Sequence, residues 1–228
     1  MTLFAEPRTS VPTLDAATAA LVRQSARITA ASEADVRAGF AECNAAKVSQ
    51  RWQEELVLQS YLFAGFPRAL NAAREWRRSQ GAAAGNAAER SEKTSFAPEA
   101  NEGYADVFEW RSRGEETCAT VYGSFYDKLR GNIRALSPLL DEWMIVEGYG
   151  KVLSREGLDL GRRELCIVAA CAAAEQDRQL HSHLHGALNA GVPAAVVQAA
   201  LECLAGVVSQ DSLVRAGLLL GRVTGKGS

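Results

Sequence analysis

The chain has 228 residues, 47% of them apolar and 23% charged, with a net charge of −2. That is enough to bury a large core, and near-neutrality argues against a nucleic-acid or anionic-membrane partner. No apolar run reaches the roughly 18 residues of a membrane span. The N-terminal MTLFAEPRTSVPTLD lacks a long apolar stretch, so no secretory signal is read and a cytoplasmic protein is expected.

Strand-like alternation is scarce and alanine, leucine, arginine and glutamate are abundant, which points to an all-α fold. A first helix is expected over about 14–28. Ser32, with Asp35 three residues on, reads as the N-cap of a second helix through Ala46. Ser49 caps a third through about Phe63, and Pro67 suits the first turn of another ending near Arg78.

The stretch GAAAGNAAERSEKTSFAPEANEG then turns small, polar and non-periodic. It divides the chain into an N-terminal helical half (1–80), a connector (81–102) and a C-terminal domain (103–228). Helical patterning resumes near Tyr104, and Pro138 opens a helix to Tyr149. GYGKVLSREGLDLG is turn-rich. Asp159 caps a helix over Leu160–Ala174, and a histidine-bearing helix ends at Asn189-Ala190-Gly191. Pro193 opens a helix to about Val208, and Asp211 caps the last, to about Val223. The passages QEELVLQSYLFAGFPRALNAA and RRELCIVAACAAAEQDRQLHSHLHGALNAG resemble each other faintly. An internal duplication of a helical hairpin and two pairs alike by composition are both open.

Five cysteines, an odd number with no C-x-x-C, make a disulfide framework or a Cys-rich zinc site an unattractive reading. All three histidines of the chain fall at 181, 183 and 185. On a helix turning about 100° per residue, His181 and His185 share a face and His183 lies opposite. One helix cannot therefore bring all three to one ion, and no metal and no cofactor is expected. Leu180, Leu184, Ala187 and Leu188 form an apolar stripe with His183 at its edge. His181 and His185 lean to solvent. On spacing alone His183 reads as a core-edge histidine or as a functional one.

REL, then an apolar helix, then a histidine followed by GALNAGV resembles the carboxymuconolactone decarboxylase family, which also holds the alkylhydroperoxidase D proteins. GYGKVLSREGLDLGRREL is similar to that family's lead-in. The likeness is close over about 120–222 and weaker in the first half. It implies an alkylhydroperoxidase D-like helical bundle and a homo-oligomer, most often a trimer or hexamer. The peroxidase branch sets a glutamate twelve positions before the first cysteine of a C-x-x-C and a histidine four after the second. In that frame Glu164 is the acid, His183 the base, and Gln176 and Gln179 stand where the thiols would be.

Peroxiredoxin-type chemistry needs a thiolate and a resolving thiol, so it is disfavoured here. What remains is proton transfer, for which histidine is suited near neutral pH. The resemblance thus implies a lyase or isomerase acting on a small lactone or oxo acid, with Glu164 and His183 catalytic. Gln176, Gln179 and Tyr149 are candidates to bind the substrate carboxylate or carbonyl, and Arg163 either joins them or pairs with a surface acid. A thiol peroxidase and a non-catalytic oligomeric member are the alternatives. If the duplication is real, the position matching His183 in the first copy is near Arg74, and that copy has lost its base.

Overall fold

The computed structural model describes residues 13–83 and 107–225. Among them no strand forms, and ten α-helices build an all-α bundle. They are α1 (Ala16–Ala30), α2 (Glu33–Ala45), α3 (Gln50–Ala83), α4 (Val107–Tyr122) and α5 (Tyr126–Leu136). After them come α6 (Pro138–Trp143), α7 (Leu160–Ala173), α8 (Asp177–Asn189), α9 (Ala194–Glu202) and α10 (Gln210–Val223). Most of the connector expected over 81–102, and the resumption near Tyr104, lie outside the described residues.

Local hydrogen bonding explains the helix starts. Asp15 accepts from the Thr18 N–H, Ser32 from Asp35, Ser49 from Trp52 and Asp159 from Arg162. Each satisfies an orphan donor of a first turn. Pro138 sits at the start of α6 behind the Ser137 cap.

Several boundaries differ from expectation. The break expected before Pro67 is not among them: α3 is two helices joined across a kink at Gly65, whose φ of 79° and ψ of 161° are non-helical. Glycine tolerates that conformation, and Pro67 just beyond has no N–H to lose. The helix from Pro138 does not end at Tyr149. Beyond Trp143 the chain widens into a π-helical segment, Met144–Leu153, closed by the Ser154 N–H donating to the Tyr149 carbonyl at 2.8 Å. Half of the stretch read as turn-rich is therefore helical. The helix from Pro193 stops at Glu202 rather than Val208, ahead of a left-handed Gly206. Ser209, not Asp211, caps α10; Asp211 lies in its first turn.

The π-helical segment owes its seat to two glycines. A Cβ on Gly150 would stand 1.9 Å from the Trp110 carbonyl oxygen, and one on Gly114 would stand 2.2 Å from that of Ile145. α4 and the π segment thus meet backbone to backbone, which only glycine permits.

One core runs through both halves of the chain. Leu21, Phe40 and Leu56 bury into the same cluster as Ile145, Ile167 and Leu184. α1 and α3 pack on α7, and α7 packs on α8. Across the α3–α7 contact lies a buried ion pair. Arg163 is not at the surface beside an exposed acid, as one reading had it; it is fully buried and donates to Glu55 at 2.8 Å. Its remaining donors meet Gln59 and the carbonyls of Leu158 and Arg155. Burial pushes its pKa down while Glu55 pushes it back up. Inside a protein such a charge persists only when its donors are satisfied this fully. The pair clamps the first turn of α7, and Glu164 is the next residue.

Candidate active site

α7 and α8 pack so that Glu164 and His183 meet. The Glu164 carboxylate is fully buried, and its Oε2 lies 2.8 Å from His183 Nδ1. His183 is itself only 4% exposed. Gly186, three residues on from the histidine, leaves the space: a Cβ there would stand 2.4 Å from Glu164 Oε2. The other carboxylate oxygen, Oε1, is buried with no hydrogen-bond partner. A buried carboxylate facing Nδ1 fixes the orientation of the ring and directs the exchangeable lone pair to Nε2.

His183 lies on the wall of a pocket of about 510 Å³, within the range of small-molecule sites. Five elements contribute. α3 brings Tyr61 and Phe63, the latter edge-on to the histidine ring at 5.7 Å. α4 brings Tyr122, and α6 with the π segment brings Trp143, Glu147 and Tyr149. α8 brings Gln179 and His183. The Tyr122 and Tyr149 rings meet edge-on, 6.3 Å apart. Burial raises both phenols, Tyr122 to about 12 and Tyr149 well above its ordinary value. Both therefore keep their protons at neutral pH and can act as donors.

Of the residues picked out in the sequence, Glu164 and His183 touch, and Tyr149 and Gln179 share the pocket with His183. Gln176 does not join them. It is exposed at the start of α8 and its amide donates to the Ala174 carbonyl at 3.4 Å. Arg163 is spent on the α3–α7 ion pair. His181 is half-buried and His185 exposed, their rings 5.0 Å apart on the outer face of α8. Burial, then the charge of His181, lowers the pKa of His185. Arg74 is exposed and bonded to Asn71. Among the described residues no group of three or more His, Cys, Asp or Glu could hold a metal ion.

Sequence reasoning missed Tyr122, Phe63 and Glu147. One signal was available: Tyr122-Gly123 and Tyr149-Gly150 are both Tyr-Gly pairs, and the two tyrosines stand together. Nothing local marks Phe63, on α3, or Glu147, on the π segment.

All five cysteines are unpaired. Burial pushes the thiols of Cys43, Cys118 and Cys171 up to about 12, and Cys166 further still. For Cys171 the nearby Glu164 adds to the rise. A thiol held this high is not a ready nucleophile.

No helix among the described residues is long and apolar enough to cross a membrane. A search of curated proteins finds no match to the chain. The model of the carboxymuconolactone decarboxylase family, however, matches residues 142–216, from the end of α6 into α10. The part of the chain that carries the π segment, Glu164 and His183 is thus similar to that family.

Proposed function

We propose that the protein is an acid–base enzyme of the carboxymuconolactone decarboxylase type, acting on a small lactone or oxo compound. The observation that carries this reading is the 2.8 Å contact between buried Glu164 and His183 at the wall of an aromatic pocket. His183 Nε2 takes a proton from the carbon beside a carbonyl. Glu164 stabilises the imidazolium that forms. The neutral Tyr122 hydroxyl, which accepts from Tyr149, donates to the developing enolate oxygen, and Gln179 donates at the rim. Returning the proton to another carbon gives isomerisation; breaking the bond from the β-carbon to the ring oxygen forms a C=C and releases that oxygen as a carboxylate, which opens a lactone and leaves the proton on His183 to pass to solvent. Decarboxylation of an oxo acid ends in the same protonation of carbon, but it is the less supported arm, because among the described residues no lysine or arginine lines the pocket to receive a carboxylate.

The thiol-peroxidase alternative is opposed by the raised, buried cysteines. The non-catalytic alternative is opposed by the buried carboxylate–imidazole pair, whose desolvation a mere scaffold would have no reason to keep.

A homo-oligomer is also proposed. Leu136, Leu139, Leu140 and Trp143 stand exposed along α5 and α6, and Val214 and Leu218 one turn apart on α10. Apolar surface of this kind is normally covered by a partner. The unpaired cysteines accord with a reducing compartment such as the cytoplasm.

Solvent deuterium exchange tests the catalytic reading without knowledge of the natural substrate. A panel of lactones, cyclic ketones and 2-oxo acids is incubated with the protein in D2O and followed by NMR. Catalysed exchange beside the carbonyl of at least one compound is expected, and its loss in folded His183→Gln. Exchange that survives the substitution, or none across the panel, would overturn it.

A further inference from the structure

The charge of the pocket wall restricts what can enter. Its lining contains two ionisable groups of note, His183 and Glu147, and both already have partners of their own. His183 faces Glu164. Glu147 at the rim pairs with Lys151 at 3.4 Å and accepts the Tyr61 hydroxyl at 3.3 Å. Burial, then the contact to Glu147, raises Tyr61 to about 12, so that hydroxyl is neutral too. Among the described residues no lysine or arginine lines the wall. Most of the remaining surface is aromatic or aliphatic: Leu62, Phe63, Trp143, Met144 and Leu153.

A charged ligand in such a site surrenders its hydration and finds no unspent counter-charge. A neutral ring surrenders little and gains the aromatic contact. Its polar atoms can meet His183, the tyrosine hydroxyls and Gln179. We propose that the ligand of this pocket is an uncharged, ring-sized compound with one or two hydrogen-bonding oxygens, and that both carboxylates and amines are excluded. This inference rests on the pocket being the active site, as proposed above, and narrows the substrate to neutral lactones and ketones.

The test uses three unreactive probes with one shared ring: benzyl alcohol, benzoate and benzylamine. Binding to the full chain is read by ligand-detected NMR, independently of any turnover. Benzyl alcohol is expected to bind at least about five-fold more tightly than either ion, a difference of about 1 kcal/mol, which a modest desolvation cost supplies. In Glu147→Gln, which leaves the Lys151 charge unbalanced at the rim, benzoate is expected to gain several-fold relative to benzyl alcohol. Either ion binding within five-fold of the alcohol in the wild type, or no binding of any probe up to its solubility, would overturn the inference. Its failure is distinguishable from failure of the catalytic reading. Exchange in D2O lost in His183→Gln alongside tight benzoate binding would sink only the ligand class, whereas selective alcohol binding without exchange would sink only the chemistry.

Discussion

Glu164 and His183 stand 19 positions apart in the chain and 2.8 Å apart in space, on neighbouring helices and both shut off from bulk solvent. The carboxylate orients the imidazole, and the imidazole faces the pocket. His183→Gln should therefore lower the exchange rate by about 10²- to 10⁴-fold, the usual worth of an acid–base step. Glu164→Gln should lower kcat by less and leave KM nearly unchanged, since it acts on the histidine and not on the ligand. His181→Gln and His185→Gln should change the rate less than about three-fold, as expected of solvated groups. Rates measured by NMR exchange on the best panel compound decide this; a large loss at His181 or His185 would show the wrong histidine was chosen.

Gly186 supplies a test that removes no chemical group. Alanine is the better helix former by about 1 kcal/mol. Its Cβ would nonetheless stand 2.4 Å from Glu164 Oε2 and 2.8 Å from Val121. Overpacking of that kind costs about 1–3 kcal/mol. Gly186→Ala should lower the melting temperature despite the better propensity, and should slow exchange by ten-fold or more through a displaced carboxylate. Unchanged melting and unchanged rate would mean Glu164 has room to move and is not held in place.

Asp141 ties α5 to α6 through Arg130 and Arg134, the latter at 2.8 Å. The hydrogen bond from Arg130 is the main cause holding its carboxyl below the usual range. A carboxyl depressed on folding contributes stability that is present above its unfolded pKa of about 3.9 and is lost as pH falls through the folded value. Asp141→Asn should cost about 1–3 kcal/mol at pH 7. That cost should shrink as pH falls from the unfolded value towards the lower folded one, below which the wild-type group is protonated as well. Urea unfolding at pH 7 and at pH 2.5 checks both points; an equal cost at the two pH values would contradict the ion-pair origin.

The thiols should be spectators. Four of the five cysteines are buried, and Cys171 is raised to about 12. Native alkylation with iodoacetamide should leave exchange intact, and hydroperoxide turnover with a dithiol should be at background. Robust peroxidase activity that disappears in Cys171→Ser would return the protein to the peroxidase class.

Assembly can be read by light scattering. A mass that is a multiple of the 24.4 kDa chain is expected at micromolar concentration. Leu140→Glu and Leu218→Glu, at exposed apolar positions on two faces, should shift it downwards. A single species near the chain mass would remove the oligomer proposal.

What the sequence determined by itself was local. The helical class followed from the missing strand periodicity. The starts of α2, α6 and α7 followed from Ser32, Pro138 and Asp159, because a cap is one hydrogen bond between residues three apart. The deeper burial of His183 than of His181 and His185 followed from a 3.6-residue period. The frame of the family resemblance pointed to Glu164. Tertiary structure decided everything that depends on how helices cross. It set the distance from Glu164 to His183, the removal of Gln176 from the pocket, and the burial of Arg163 against Glu55. It also gathered Phe63, Tyr122 and Glu147 from three separate elements. The bend at Gly65 and the π segment show why this could not be read earlier. A glycine's φ and the choice between i+4 and i+5 bonding were settled by close backbone packing, as where α4 meets the π segment, and that contact joins residues far apart in the chain.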